Sequence, residues 1–124
     1  MIFGIGADIA KVSRFEKWAC DEYLQKRFFH ADEIKNTGTR LMQAEHYASR
    51  FAAKEAFAKA LGVGFRGFSL AEVCVSADEY GKPFFKLEGK AQQLVLKKCG
   101  KDAKIFLTLS HEKEFALAFV VIEV

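Results

Sequence analysis

The chain has 124 residues, about half of them apolar, which is enough for one domain with a real hydrophobic core. Its 19 basic and 16 acidic residues are interleaved and give a formal charge of +3, which argues against a dedicated nucleic-acid-binding protein and favours an acidic partner. No apolar run approaches the ~20 residues of a membrane span, and the N-terminus lacks the basic start and long apolar run of a signal peptide.

The first predicted element is a strand over residues 2–9, IFGIGADI. Alternation gives it an apolar face, which we expect to face the core: Phe3, Ile5, Ala7 and Ile9. The opposite face carries two glycines before a carboxylate: Gly4, Gly6 and Asp8. Such a bare face lets a ligand or another backbone come close. The alternative interpretation of Asp8 is an acidic residue at the end of the strand, whose side chain caps the next turn.

Two short helices are predicted to follow. Ser13 and Glu16 have capping-box spacing, so a helix is expected to start near Arg14. Residues 21–30 are predicted to form the next helix, with Asp21 as its N-cap.

A long helix is predicted from about residue 40 to residue 61, after a break at residues 36–39. Thr39 is expected to cap its first turn, and Gly62 to end it.

The rest of the chain alternates turns with short elements. They are a glycine-containing loop at 63–68, strand 70–77, turn 78–83, strand 84–89, helix 90–99, and strands 104–110 and 115–124 joined by hairpin loop 111–114. This order predicts an α+β fold, with a largely antiparallel sheet packed against a long central helix and shorter helices. We expect residues 1–124 to form a single domain. Three cysteines, Cys20, Cys74 and Cys99, lack metal-ligand spacing and indicate reduced thiols in a cytoplasmic protein.

The long helix carries a carboxylate, Glu55, in an otherwise apolar stretch, RFAAKEAFAKALG. At about 100° per residue, one side collects its charges: Lys54, Glu55 and Lys59. The alternative interpretation of these charges is a solvated helix face, on which Glu55 and Lys59 form an ordinary i,i+4 pair. Together with Asp8, however, Glu55 supplies two carboxylates from two rigid elements. That pattern is typical of Mg²⁺ sites completed by phosphate oxygens, where Lys54 or Lys59 would hold the phosphate.

Four motifs resemble one known family: GIGADI at the N-terminus, RFAAKEAFAKALG in the long helix, GKP in the turn, and SHEKEFALAFVVIE at the end. The chain resembles the holo-[acyl carrier protein] synthases, the small bacterial type of 4′-phosphopantetheinyl transferase, from Ile2 to Glu123. The resemblance implies transfer of the 4′-phosphopantetheine arm of coenzyme A onto a serine of apo-acyl carrier protein, with adenosine 3′,5′-bisphosphate as the other product. It also implies Mg²⁺ and a homotrimer with active sites between subunits. Residues 30–48 have no clear register against the family.

The same resemblance assigns site residues. Asp8 and Glu55 match the two carboxylates that bind the metal in the family. Lys59 matches the lysine that faces the coenzyme A phosphates. These three residues match the catalytic set. The remaining coenzyme A residues it implies are Arg50 near the phosphates, His111 near the 3′-phosphate end, and Gly81, Lys82 and Pro83 in the turn beside the adenine.

Two features concern the acyl carrier protein. Either Glu55 or a metal-bound water that it orients would take the proton of the carrier serine, whereas His111 is less suited to that role. Acyl carrier proteins are acidic, so the basic cluster after Asp8 is a candidate docking patch: Lys11, Arg14 and Lys17. A solvated helix face is the alternative interpretation of the cluster. Two rival functions remain. The chain could be a module that binds a nucleotide or coenzyme A without catalysing a reaction, or a small nucleic-acid-binding domain.

Overall fold

A computed structural model of the chain describes residues 1–64 and 66–124, so that Phe65 in the predicted loop 63–68 lies outside the described residues. The regular elements are β1 (Ile2–Lys11), α1 (Glu22–Phe28), α2 (Arg40–Leu61), β2 (Val73–Ala77), β3 (Pro83–Leu87), α3 (Gly89–Cys99), β4 (Lys104–His111) and β5 (Phe115–Glu123). Within the described residues, four short 3₁₀ segments accompany them: Val12–Phe15, Lys17–Cys20, Ala31–Glu33 and Leu70–Glu72. Among the described residues, no helix has the length and apolar character to cross a bilayer.

The strands form two antiparallel sheets. One has three strands in the order β1-β5-β4, and the other pairs β2 with β3. Helix α2 packs across the three-stranded sheet and is buried along most of its length. The predicted α+β class, the antiparallel pairing and the central helix are therefore confirmed.

The predicted limits of α2 are confirmed by its caps. Thr39 Oγ1 accepts a hydrogen bond from the Met42 N–H at 3.1 Å. Gly62 ends the helix at φ 80°, a left-handed conformation that glycine adopts without strain. Asp21 likewise caps α1 by accepting from the Leu24 N–H at 3.1 Å.

The prediction of a helix that begins near Arg14 with a capping box is wrong. The chain there forms two 3₁₀ turns, and neither has a side-chain cap. The buried residues Val12, Phe15 and Trp18 recur every third position, which matches the three residues per turn of a 3₁₀ helix. The need to bury these side chains therefore overrides the local capping signal.

The prediction of which face of β1 packs in the core is also wrong. Ile5 and Ile9 are 71% and 61% exposed, whereas the face that carries Gly6 and Ala10 is buried against α2. Alternation separates the two faces of a strand correctly, but it does not say which face another element covers.

Candidate active site

Strand β1 and helix α2 meet backbone to backbone at the two glycines. A Cβ atom on Gly6 would overlap the carbonyl oxygen of Ala56 and lie 2.8 Å from the backbone nitrogen of Ala60. A Cβ on Gly4 would overlap the carbonyl oxygen of Ala60. The bare face of β1 thus admits another backbone, which is one of the two explanations given by the sequence. Asp8, two residues further along the same face, is held against α2 in consequence.

Asp8, Glu55 and Lys59 come together where β1 crosses α2. Lys59 Nζ donates to Asp8 Oδ1 at 3.2 Å and to the Ala7 carbonyl oxygen at 3.0 Å. Lys59 therefore reaches Asp8 across the strand and does not simply pair with Glu55 on its own helix. Asp8 lies inside β1, with a side chain only 12% exposed, and does not cap the following turn.

The pKa of Glu55 is affected by the neighbouring carboxylate of Asp8. Burial, followed by the hydrogen-bonding contact and like charge of Asp8, raises the pKa of Glu55 to about 7, against the opposing effects of Arg14 and Lys59. Two acids this close in a partly desolvated site are held together by either a shared proton or a cation. Mg²⁺ takes one or two protein carboxylates and completes its shell with water and phosphate oxygens. The donor set formed by Asp8 and Glu55 therefore fits magnesium.

One residue of the basic cluster after Asp8, Arg14, lies beside this acidic pair. Lys11, Arg14 and Lys17 are all exposed. The Arg14 guanidinium carbon lies 5.4 Å from the centre of the Phe51 ring, one helical turn before Glu55. Its positive charge also acts to lower the pKa of Glu55. Arg14 therefore borders the site. This position favours the docking interpretation over that of a solvated helix face without a role.

Arg50 and His111 line one pocket of about 320 Å³ beside the first half of α2. The other residues that line it are Lys35, Met42, Glu45, His46 and Ser49. Arg50 Nη1 donates to Ser49 Oγ at 3.0 Å, and its buried Nε has no hydrogen-bond partner among the described residues. His111 Nδ1 lies 3.8 Å from a Glu45 oxygen. A basic pocket with a spare guanidinium donor is suited to an anion such as phosphate.

The turn that contains Gly81, Lys82 and Pro83 belongs to the other sheet, where it connects β2 to β3. Asp78 Oδ1 accepts hydrogen bonds from the backbone N–H groups of Tyr80 and Lys82, each at 2.9 Å. Gly81 has φ 82°, which a residue with a side chain rarely adopts. The turn is thus held by hydrogen bonds to Asp78. Gly81 and Lys82 are exposed, and the role of the turn beside an adenine stays a prediction.

Within one chain, the acidic pair and the Arg50–His111 pocket lie on opposite sides of α2. At ~100° per residue, Glu55 points about 140° and Lys59 about 180° around the helix from Arg50. Asp8 is on β1 and His111 is on β4, with β5 between them. The structure therefore brings Asp8, Glu55 and Lys59 together, and Arg50 and His111 together, as two separate groups.

Lys54 does not belong to the polar stripe predicted on α2. Its side chain is fully buried, and its Nζ pairs with Glu33 Oε1 at 2.6 Å. A lysine in that position has no access to a phosphate, which corrects the sequence-based alternative. Glu33 was missed altogether, because a carboxylate in a short polar segment gives no sequence signal of burial.

His30, Asp32 and Cys74 place one potential metal-ligand atom each within 4.8 Å of one another. The nitrogens of His30 are already engaged, because Nδ1 accepts from the Asp32 N–H at 3.0 Å and Nε2 faces a Glu88 oxygen at 3.0 Å. Burial raises the pKa of the Cys74 thiol to about 11, which keeps it protonated. His30 is thus explained as the cap of the 3₁₀ turn at Ala31–Glu33.

The chain matches the family described as the 4′-phosphopantetheinyl transferase superfamily over residues 4–120. A holo-[acyl-carrier-protein] synthase of Treponema denticola is 48% identical over 124 residues, which cover 99% of each chain. The crystal structure of the holo-[acyl-carrier-protein] synthase of Neisseria meningitidis has a TM-score of 0.85 at 35% identity and covers 100% of both chains. That of Bacillus anthracis, in complex with CoA (3′,5′-ADP), has a TM-score of 0.80 at 33% identity and covers 98% of this chain and 96% of its own.

Proposed function

The chain belongs to the 4′-phosphopantetheinyl transferase superfamily, and we propose that Asp8 and Glu55 hold the magnesium ion with which it transfers the 4′-phosphopantetheine group of coenzyme A to a serine of apo-acyl carrier protein. The products are holo-acyl carrier protein and adenosine 3′,5′-bisphosphate. The transfer follows from similarity over the whole chain to holo-[acyl-carrier-protein] synthases. The assignment of roles rests on one observation, the meeting of Asp8, Glu55 and Lys59 at the crossing of β1 and α2.

The reaction exchanges one phosphorus–oxygen bond for another. The serine oxygen attacks the β-phosphorus of the coenzyme A pyrophosphate, and the bond from that phosphorus to the oxygen of adenosine 3′,5′-bisphosphate breaks. Positioning and charge neutralisation provide most of the catalysis in such transfers. Magnesium, when bound, offsets the charge that develops on the pyrophosphate. Lys59 adds a second positive charge, with its Nζ 3.2 Å from Asp8.

The proton of the serine hydroxyl leaves toward Glu55, by one of two routes. Either the Glu55 carboxylate accepts it directly, or a water molecule hydrogen-bonded to that carboxylate does. His111 of the same chain lies on the far side of α2, next to Arg50, and we assign it to the nucleotide end of coenzyme A.

A transfer assay tests this proposal against its rivals. Coenzyme A labelled in the phosphopantetheine group is incubated with apo-acyl carrier protein, with Mg²⁺ or with EDTA. We expect label on the carrier with Mg²⁺ and almost none with EDTA. A module that only binds coenzyme A would bind the label without transferring it, and equal transfer in EDTA would remove the metal assignment.

We further propose that Arg14, with Lys11 and Lys17, docks the acidic carrier. Arg14→Glu is expected to raise the KM for the carrier at least about 10-fold, because it replaces an attractive charge with a repulsive one beside the acidic pair. The KM for coenzyme A should stay nearly unchanged. Steady-state kinetics with each substrate varied in turn measures the two constants.

The matched control for docking is Lys101→Glu, the same kind of charge reversal in an exposed turn after α3. It should leave both KM values close to those of the parent. The parent's rate at low carrier concentration should also fall as salt rises, since exposed charges are screened over ~10 Å at 0.1 M. A rate that is independent of salt would contradict electrostatic docking.

The assembly we propose is a homotrimer with coenzyme A bound between subunits. The free face of the three-stranded sheet is apolar and exposed: Ile5 71%, Ile9 61%, Phe106 48% and Phe119 49%. A closed ring of three copies would cover this face on every subunit. It would also allow the Arg50–His111 pocket and the 81–83 turn of one subunit to approach the acidic pair of the next. One coenzyme A would then span two groups that a single chain holds apart.

Sedimentation equilibrium at micromolar concentration is expected to give about 42 kDa, roughly three times 13.9 kDa. Ile5→Lys should yield monomers with little activity, because it places a charge in the buried interface. Leu96→Lys, at a half-exposed position on α3, is the control and should remain trimeric. A monomer with full activity would show that one chain forms the whole site.

We also propose a cytoplasmic location and a role in fatty-acid and lipid synthesis. The three cysteines are unpaired, as expected in a reducing compartment. Holo-acyl carrier protein, the product, is the form that can carry acyl chains as thioesters.

A further inference from the structure

Lys54 is the most deeply buried charged residue on α2, and it joins the helix to three other segments. Its Nζ donates to Glu33 Oε1 at 2.6 Å and to the carbonyl oxygens of Leu70 and Val73 at 2.9 and 2.7 Å. An ammonium group has three N–H donors. All three are therefore used, and the direction of the side chain is fixed.

Glu33 is as fully engaged as Lys54. Besides Lys54, its Oε1 accepts from the His30 N–H at 2.9 Å, and its Oε2 accepts from the Val75 N–H at 3.0 Å. Its backbone carbonyl accepts from His46 Nε2 at 2.6 Å. The carboxylate thus connects the 31–33 turn to both α2 and β2.

This network bears on the active site because Lys54 precedes Glu55 in the same helix. Consecutive helical residues point about 100° apart, so a fixed direction for Lys54 fixes the direction of Glu55. The opposite side of the helix is set by the contact of Ala56 with Gly6. Helix α2 is thereby clamped between β1 and the Glu33 network.

We propose that Glu33 and Lys54 are positioning residues that set the rotation of α2 and so hold Glu55 at the correct distance from Asp8 for a divalent cation. Neither residue touches the substrate. A buried ion pair is often no more stabilising than apolar residues of similar size, so its contribution here is geometric. The inference rests on the proposed metal site.

The test replaces the ion pair by apolar residues in the double variant E33L/K54M. We expect it to remain folded, because no unpaired charge is left, but with a lower melting temperature, because the backbone groups of His30, Leu70, Val73 and Val75 lose their partners. Its dissociation constant for Mn²⁺, measured by electron paramagnetic resonance on the protein without substrates, should rise at least about 10-fold. Its kcat should fall in parallel, while the KM for the carrier stays unchanged.

Gln25→Met is the matched control, since it removes a buried hydrogen bond from Gln25 to the Trp18 carbonyl oxygen in which neither Glu33 nor Lys54 takes part. It should lower the melting temperature without changing Mn²⁺ binding. Parent-like Mn²⁺ binding in E33L/K54M would overturn the proposal. If that variant does not fold, E33Q is measured below its melting temperature, with the same expected and contrary results.

Failure of the proposed function would look different. In that case the parent itself would bind Mn²⁺ no better than Asp8→Asn does. Tight binding in the parent, loss in Asp8→Asn and no loss in E33L/K54M would reject only the positioning role.

Discussion

Asp8→Asn and Glu55→Gln are each expected to lower turnover at least about 100-fold while the fold persists. Changes to residues that only support a metal ligand already cost about 10- to 100-fold, and these two are the proposed ligands themselves. Neither change removes packing volume, and each removes one of two like charges that oppose one another without a cation. The melting temperature in EDTA should therefore stay close to that of the parent, although Asp8→Asn also loses the weak, partly exposed ion pair with Lys59. Transfer kinetics and thermal unfolding of the same preparations measure the two quantities.

Asp102→Asn is the control for these substitutions, because Asp102 is an exposed acid in a turn remote from the crossing of β1 and α2. It should retain the turnover of the parent. Added Mg²⁺ should raise the melting temperature of the parent and of Asp102→Asn, but not that of the two ligand variants. Normal turnover in both ligand variants would refute the assignment of the acidic pair.

Gly6→Ala is expected to destabilise the protein by about 1–3 kcal/mol or more and to reduce activity as well. The added methyl group would overlap the Ala56 carbonyl oxygen, and a helix backbone yields far less easily than the end of a side chain. Relief requires α2 to move away from β1. Such a movement separates Glu55 from Asp8, which lies two residues along the same face of the strand. Urea unfolding and the affinity for Mn²⁺ should therefore change together.

Ala77→Ser is the matched control for this crossing. It adds one non-hydrogen atom at an exposed position of β2, in the two-stranded sheet, away from both the crossing and the proposed trimer face. We expect its free energy of unfolding to lie within about 0.5 kcal/mol of the parent. Gly6→Ala with unchanged stability and unchanged Mn²⁺ affinity would show that the strand and helix have room between them.

The elements of the fold were largely predictable because their signals are local. A side-chain oxygen at Thr39 and a left-handed glycine at Gly62 act on backbone groups within one turn, and they set both ends of α2. Alternation likewise located β1 and β5. The acidic pair was identified because Asp8 and Glu55 each interrupt an otherwise small or apolar pattern.

Only the tertiary structure decided what lies against each surface. Periodicity shows which residues share a face, but the partner of that face is distant in sequence, so the core side of β1 and the burial of Lys54 were both assigned incorrectly. The charge of Lys54 is tolerated in the core only because Glu33 and two carbonyl oxygens, from segments 16 to 21 residues away, converge on it. The sequence by itself determined the strands, the helices α1, α2 and α3 and the two candidate carboxylates, but not the 3₁₀ turns that follow β1. The fold decided that Lys59 reaches Asp8, that Lys54 is a buried anchor, and that Arg50 and His111 lie across α2 from the acidic pair, because those relations depend on how separate elements pack.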